Sequence, residues 1–258
     1  VVISSNRFLN VLNNSFYNIY NYKMKIGLII YHKNIFSYID SKIVFKCLES
    51  IENQTFKDFD ILELDYSDYN QYQTTIMKVG FLKNNKRYFF RQECKNHIEA
   101  MNFLLNKAFN EMNYDIIYNI NLDDIYDKHR FEFQLRKILI DGYDLVGSNY
   151  EIFQNKNGNE ISRSIKIVPE FEDIIDEQTY LKIKNSQKKC VIQLSSMCFT
   201  KESWEIIKNI DILPTLESLL ICKKLLKKDK KIHICKEKLL RYRIHSQQVS
   251  RKYRRENI

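Results

Sequence analysis

A chain of 258 residues, 44% hydrophobic and 28% charged, is long enough to bury a substantial core and reads as a single domain, since no Pro-, Gly- or Ser-rich stretch marks a second one. Its formal charge of +9 favours anionic partners and comes partly from Lys223 to Lys231 and from Arg251, Lys252, Arg254 and Arg255. A phosphorylated ligand or a peripheral membrane contact would satisfy that charge, whereas no zinc-finger, RNP-like or helix-turn-helix pattern accompanies the basic runs, so nucleic acid is not expected.

The first strand-like run, Ile26 to Tyr31, follows Met24-Lys25, which divides the chain into an extension over 1–23, a domain over 24–250 and a basic tail over 251–258. Ile43, Cys47 and Ile51 then recur at helical spacing, and Phe59 to Asp65 and Arg87 to Gln92 read as strands flanking a weaker helical pattern from Gln71 to Val79. Ile98, Met101, Leu105, Ala108, Phe109 and Met112 form one helix face, followed by a strand from Asp115 to Asn121. Strands alternating with helices predict an α/β fold with a mainly parallel sheet, helices on both faces and ligands at the carboxyl ends of the strands.

Beyond that point the rhythm is mixed. Asp127 is placed to cap a helix reaching about Ile140, Asp144 to Phe153 is strand-like, and Asn157-Gly158 fits the type I′ turn of a hairpin ending near Val168. Helices are expected over 174–183, 201–209 and 216–226, with strands over 190–199 and 231–235. No run is long enough to cross a bilayer, no signal-peptide pattern opens the chain, and Cys47, Cys94, Cys190, Cys198, Cys222 and Cys235 form no CxxC pair. A soluble, cytoplasmic protein with reduced core thiols and no structural metal is therefore the expectation.

Several short motifs sit at or near the ends of these elements. Ser50-Ile51 and Gln54-Thr55-Phe56 lie between the first helix and the second strand, which closes on Leu64-Asp65. Ala100-Met101-Asn102 falls on the helix before Asn121-Leu122-Asp123-Asp124, where carboxylates after an apolar strand suit a hard divalent cation. Ser195 to Phe199 is a small-residue run, Glu217, Leu220 and Lys223 are spaced as an acidic, a leucine and a basic position, and Tyr242-Arg243-Ile244-His245 precedes Ser250. Each has a plainer reading as well. Asp123-Asp124 suits a helix start, Glu217 suits the first turn of a helix dipole, and Asn102 is either a brace for neighbouring loops or a satisfied core amide.

Taken together, the motifs resemble those of inverting, family-2-type glycosyltransferases with the GT-A fold, over about Lys25 to Ser250. The resemblance implies a nucleoside-diphosphate-sugar donor, most readily a UDP-sugar, a Mn2+ or Mg2+ cofactor, and a glycan, lipid or protein acceptor. It also implies Asp123 and His245 as metal ligands, Tyr31, His32, Asp65, Asn102, Asn121 and Arg243 around the donor, and Glu217 as the general base, with Ser218 as the competing position. Asn121, Met101 and Ser218 depart from the family's usual Asp, Arg and acidic residues. They leave open a catalytically degenerate GT-A protein that binds nucleotide or glycan.

Overall fold

The computed structural model describes residues 24–67, 82–156, 159–166, 173–174, 176–187, 192–208, 217–246 and 248. The extension over 1–23, the tail over 251–258, the helical pattern over 71–79 and the turn at 157–158 lie outside these residues.

Strand β1 (Ile26–His32) is apolar throughout because its two faces serve two cores, with Leu28 and Ile30 on one side and Ile29 on the other. A short helix α1 (Ile35–Tyr38) and the longer α2 (Ser41–Glu52) follow, the latter started by Asp40, whose carboxylate accepts from the Lys42 amide. Helix α2 buries Val44, Cys47, Leu48 and Ile51. Strands β2 (Asp60–Asp65), β3 (Arg87–Arg91) and β4 (Ile116–Ile120) join β1 in the parallel order β3-β2-β1-β4. Between β3 and β4 runs α3 (His97–Asn106), capped by Asn96 through the Ile98 and Glu99 amides and ending in a π turn over Lys107–Glu111.

After β4 come β5 (Ile125–Tyr126), α4 (Arg130–Leu139), and β6 (Leu145–Lys156) paired antiparallel with β7 (Asn159–Lys166). The N-cap position of α4 is His129 rather than Asp127; two residues earlier, Asp127 accepts from the His129 amide with its carboxylate and from the Arg130 amide with its carbonyl, in the turn that leads into the helix. The remaining elements are β8 (Asp173–Ile174), α5 (Glu177–Gln187), a 3-10 turn at Leu194–Ser196, β9 (Cys198–Thr200), α6 (Lys201–Ile207), α7 (Glu217–Leu226) and β10 (Ile232–Ile244). Among the described residues ten strands form one mixed sheet of order β3-β2-β1-β4-β9-β6-β10-β5, with β7 on β6 and β8 on β10. Strand β9 is antiparallel to both β4 and β6, and β10 is parallel to β6.

Two expectations change here. Residues 190 and 191 of the strand expected over 190–199 lie outside the described residues, and from 192 onward only Cys198–Thr200 is strand, because Leu194–Ser196 winds into the 3-10 turn. The strand expected over 231–235 extends to Ile244. Lys236, Glu237 and Lys238 interrupt the apolar pattern, but the chain shifts register there and keeps pairing with β6. Helices α3, α6 and α7 pack on one sheet face, α2 and α4 on the other. No helix among the described residues is long and apolar enough to cross a membrane, and Cys47, Cys94, Cys198, Cys222 and Cys235 are buried free thiols.

Candidate active site

The segment from Asn121 to Tyr126, just beyond the carboxyl end of β4, is held closed by its own side chains. The Tyr126 hydroxyl accepts from the Asn121 amide at 2.7 Å and donates to the Asn121 carbonyl at 3.1 Å. Asp124 is fully buried, and its Oδ1 accepts from the Arg243 amide at 2.9 Å. Burial, then the neighbouring charge of Asp123, pushes the Asp124 carboxyl well above the usual carboxylate range. With Asp124 fastened to β10, Asp123 is the carboxylate left partly exposed, and its Oδ2 lies 3.0 Å from His245 Nε2. Asp123 and His245 are therefore brought together across 122 positions of sequence.

Arg243 corrects an expectation. A residue two places before His245 suggested a phosphate contact, but its guanidinium is buried and turned inward. Its Nε donates to the Asp123 carbonyl at 2.8 Å, Nη1 donates to Asn155 Oδ1, and the guanidinium lies 4.3 Å from the Phe153 ring centroid. Arg243 thus fixes the backbone that carries Asp123 and braces it on β6.

The Gln54-Thr55 motif supports the same segment from the other face. The buried Gln54 amide donates to the Ser50 and Asp127 carbonyls, and its oxygen accepts from the Phe131 amide. The Thr55 amide and hydroxyl both donate to the Lys128 carbonyl. Behind the segment, the buried Arg130 donates to the Asn119 carbonyl at 3.1 Å and stacks 4.5 Å from the Tyr126 centroid. Neither the role of Arg130 nor that of Tyr126 has a local signal in the sequence, since both depend on contacts closed by the fold.

The second carboxylate arrives on α7. Glu217 opens that helix with its Oε1 2.6 Å from His97 Nε2 on α3. Ser218 beside it is buried, which leaves Glu217 as the partly exposed acidic group of the pair of candidates. The Tyr31 hydroxyl connects the two carboxylates electrostatically. Burial, then the charges of Glu217 and Asp123, raises its pKa well above the ordinary tyrosine range against an opposing influence from Asn119, so the group keeps its proton. It lies beside the Asn119 side chain without closing a well-formed hydrogen bond.

His32 and Asp65, expected to face a nucleoside, instead turn inward at the ends of β1 and β2. His32 Nε2 lies 3.0 Å from Glu63 Oε1 and its Nδ1 3.7 Å from Asp65 Oδ1, while Asp65 accepts from the Ser67 amide and hydroxyl. With side chains only 1% and 0% exposed, the two tie the strand ends together from within. Asn102 is half-buried rather than on the fully buried stripe of α3, and its buried Oδ1 has no hydrogen-bond partner. Met101, in the position where an Arg would reach phosphate, is wholly in the core.

Asp123 and His245 provide one oxygen and one imidazole nitrogen for a cation. Among the described residues no cluster of three His, Cys, Asp or Glu side chains joins them. That donor set fits an ion that takes its other ligands from water and phosphate oxygens, the habit of Mg2+ at phosphate-transfer sites, and does not form an all-protein cage. Two carboxylates, each with its own histidine and both felt by Tyr31, can divide charge stabilisation from proton transfer.

Comparisons with known proteins agree with this fold. The model of the family described as Glycosyl transferase family 2 matches residues 34–203. The fold is similar to that of Staphylococcus aureus TarS residues 1–349 in complex with UDP-GlcNAc, at 14% identity and a TM-score of 0.62 over 87% of this chain and 60% of that one. It is also similar to the same TarS segment in complex with UDP, at 14% identity and a TM-score of 0.59 over 86% and 61% of the two chains. For the crystal structure of S. aureus TarS, the TM-score is 0.58 at 15% identity, covering 86% of this chain and 37% of that one. No curated protein matches the sequence.

Proposed function

This chain belongs to glycosyl transferase family 2, and from that membership we propose that it moves a sugar from a UDP-sugar to an acceptor hydroxyl with inversion at the anomeric carbon. The observation that carries the reading is the Asp123–His245 pair on the segment just beyond the carboxyl end of β4, at the edge of the parallel strands where such folds hold ligands.

In the proposed reaction the acceptor oxygen bonds to the anomeric carbon as the bond from that carbon to the diphosphate oxygen breaks. The bonding pair leaves with UDP, and the hydroxyl proton passes to the Glu217 carboxylate. A Mn2+ or Mg2+ ion held by Asp123 and His245 would supply a positive charge against the leaving diphosphate. Arg243, Asp124 and Tyr126 hold Asp123 in place, and the protonated Tyr31 hydroxyl can donate a hydrogen bond to a donor oxygen. The unpartnered Asn102 Oδ1 can accept one, and Asn121 lies at the mouth of the same segment. The nucleoside would lie along the ends of β1 and β2, which the His32–Asp65 contact keeps together. The acceptor is a hydroxyl on a glycan, a lipid or a protein.

The TarS segment carries UDP-GlcNAc and UDP in its complexes, which makes these the first probes. Calorimetry should detect UDP binding that tightens with manganese. Absence of binding at millimolar UDP with manganese present would overturn the donor-site reading. A binding protein without transfer activity is the second reading, favoured by Asn121 in place of a carboxylate. It predicts the same binding with no release of UDP from any UDP-sugar.

A further inference from the structure

The amino edge of the sheet, at the far end from Asp123, carries most of the unpaired positive charge of α7 and the turn after it. Nine residues from Lys223 to Lys231 hold six lysines against one acid, Asp229. Helix α7 buries Ile221, Cys222, Leu225 and Leu226, which turns Lys223, Lys224, Lys227 and Lys228 to the opposite face. The winding carries on past Leu226, with the Lys227 amide donating to the Lys223 carbonyl and the Lys228 amide to the Leu225 carbonyl. Two of the six lysines meet carboxylates, Lys223 with Glu177 at 3.3 Å and Lys230 with Asp144 at 3.0 Å. Lys224, Lys227, Lys228 and Lys231 have no carboxylate partner among the described residues. The Lys231 carbonyl accepts from the Asp144 and Leu145 amides, so this turn lies beside the one over 140–144 that leads into β6. That second turn exposes Ile140, which at 41% is among the most exposed large apolar side chains of the described residues. We propose that this edge docks on an anionic lipid bilayer, the four lysines meeting headgroup phosphates and Ile140 entering the boundary beneath them.

Each lysine close to an anionic bilayer strengthens binding by about fivefold, and the attraction fades within a Debye length, so the lysines act together only where they share one face. Basic charge combined with a buried apolar side chain holds a protein at the headgroup boundary better than either does alone. A nucleic acid would meet the same charge, but single-stranded bases are held by stacking on free aromatic rings. The aromatic side chain of this edge, Tyr143, is instead packed on His233 with ring centroids 4.8 Å apart, and the exposed side chain is aliphatic. Strands β6 and β10 both start here and run parallel, β10 ending at Ile244 beside His245. Docking therefore covers the end of the sheet away from Asp123 and leaves the candidate site open, and it does not depend on the transfer reaction.

The experiment is flotation of the full chain with vesicles of equal parts phosphatidylglycerol and phosphatidylcholine at about 0.15 M salt, beside vesicles of phosphatidylcholine alone. The chain should float with the anionic vesicles only, and should be released at about 1 M salt, where charge is screened within about 3 Å. Lys224→Gln, Lys227→Gln and Lys228→Gln together should lower the partition coefficient by roughly 100-fold, about fivefold for each lysine, with Tm unchanged. Arg251→Gln, Lys252→Gln, Arg254→Gln and Arg255→Gln together should keep most of the binding. Loss in this tail variant with retention in the lysine variant would overturn the proposal. Ile140→Ser should weaken vesicle binding several-fold and leave binding to soluble polyphosphate as it was. No flotation with the anionic vesicles would overturn the proposal. So would RNA or polyphosphate held as tightly as the vesicles with Ile140→Ser silent, which is the behaviour of a general polyanion surface.

Discussion

Asp123 and Glu217 are both carboxylates, but their surroundings suit them to different work. Asp123 sits on a segment bolted to β10 and pairs with His245, whereas Glu217 starts a helix and pairs with His97. Under the proposed mechanism Asp123→Ala should weaken manganese-dependent UDP binding as well as turnover, because the interaction exists in both ground and transition states. Glu217→Gln should leave UDP affinity nearly intact and lower turnover by about 10²–10⁴-fold, the usual range for a general base. Calorimetry and UDP release measured on the same preparations separate the two. Arg243→Lys tests the inward role of that side chain. Lysine cannot reproduce the paired donation to the Asp123 carbonyl and Asn155, so manganese-dependent UDP binding should weaken by about tenfold or more while the chain stays folded. Unaltered binding would remove Arg243 from the support of Asp123. The family resemblance nominated Asp123, His245 and Glu217 as candidates, but it could not say which way Arg243 faces. An arginine beside a site reads the same in sequence whether it meets a ligand or its own backbone. His97 escaped altogether, because its partner Glu217 lies 120 positions along the chain and no local pattern marks His97 itself.

Among the elements, the junction between α2 and α4 shows how a family motif can be structural. Gln54 spends its amide on two carbonyls and the Phe131 amide, and so sets where α4 starts relative to the end of α2. Replacing it with Ala strands buried polar groups, at a cost of about 2 kcal/mol, or a Tm lower by roughly 4–8 °C for a chain of this size. Differential scanning calorimetry checks the figure, and a change below about 1 °C would show that water replaces the amide without loss. The alternating strands of the first half were legible because β1 and β4 are apolar on both faces, which gives continuous runs that a period-two pattern does not require. Strand β10 was legible only in its first residues. Its middle is exposed and charged over 236–238, and only pairing with β6 reveals that the strand continues to Ile244. That hidden length matters to the site, since its far end supplies Arg243 and leads to His245.

At the scale of the whole molecule, the sheet joins a parallel half, β3-β2-β1-β4, to a mixed half in which β9, β6 and β10 bring the C-terminal residues back to the end of β4. The family model matches residues 34–203, so Glu217, Arg243 and His245 lie beyond the matched span, and the roles proposed for them rest on the geometry described above. The chain spans 60% of the TarS segment it resembles, and transfer by this chain itself is therefore the central claim to measure. The most direct measurement is UDP release from a panel of UDP-sugars with manganese, for the wild-type chain beside Asp123→Ala and Glu217→Gln. The proposed mechanism predicts release from at least one donor, a severe loss in Asp123→Ala, and a loss of about 100-fold or more in Glu217→Gln. Release that survives both substitutions unchanged, or UDP binding with no release from any donor, would contradict it.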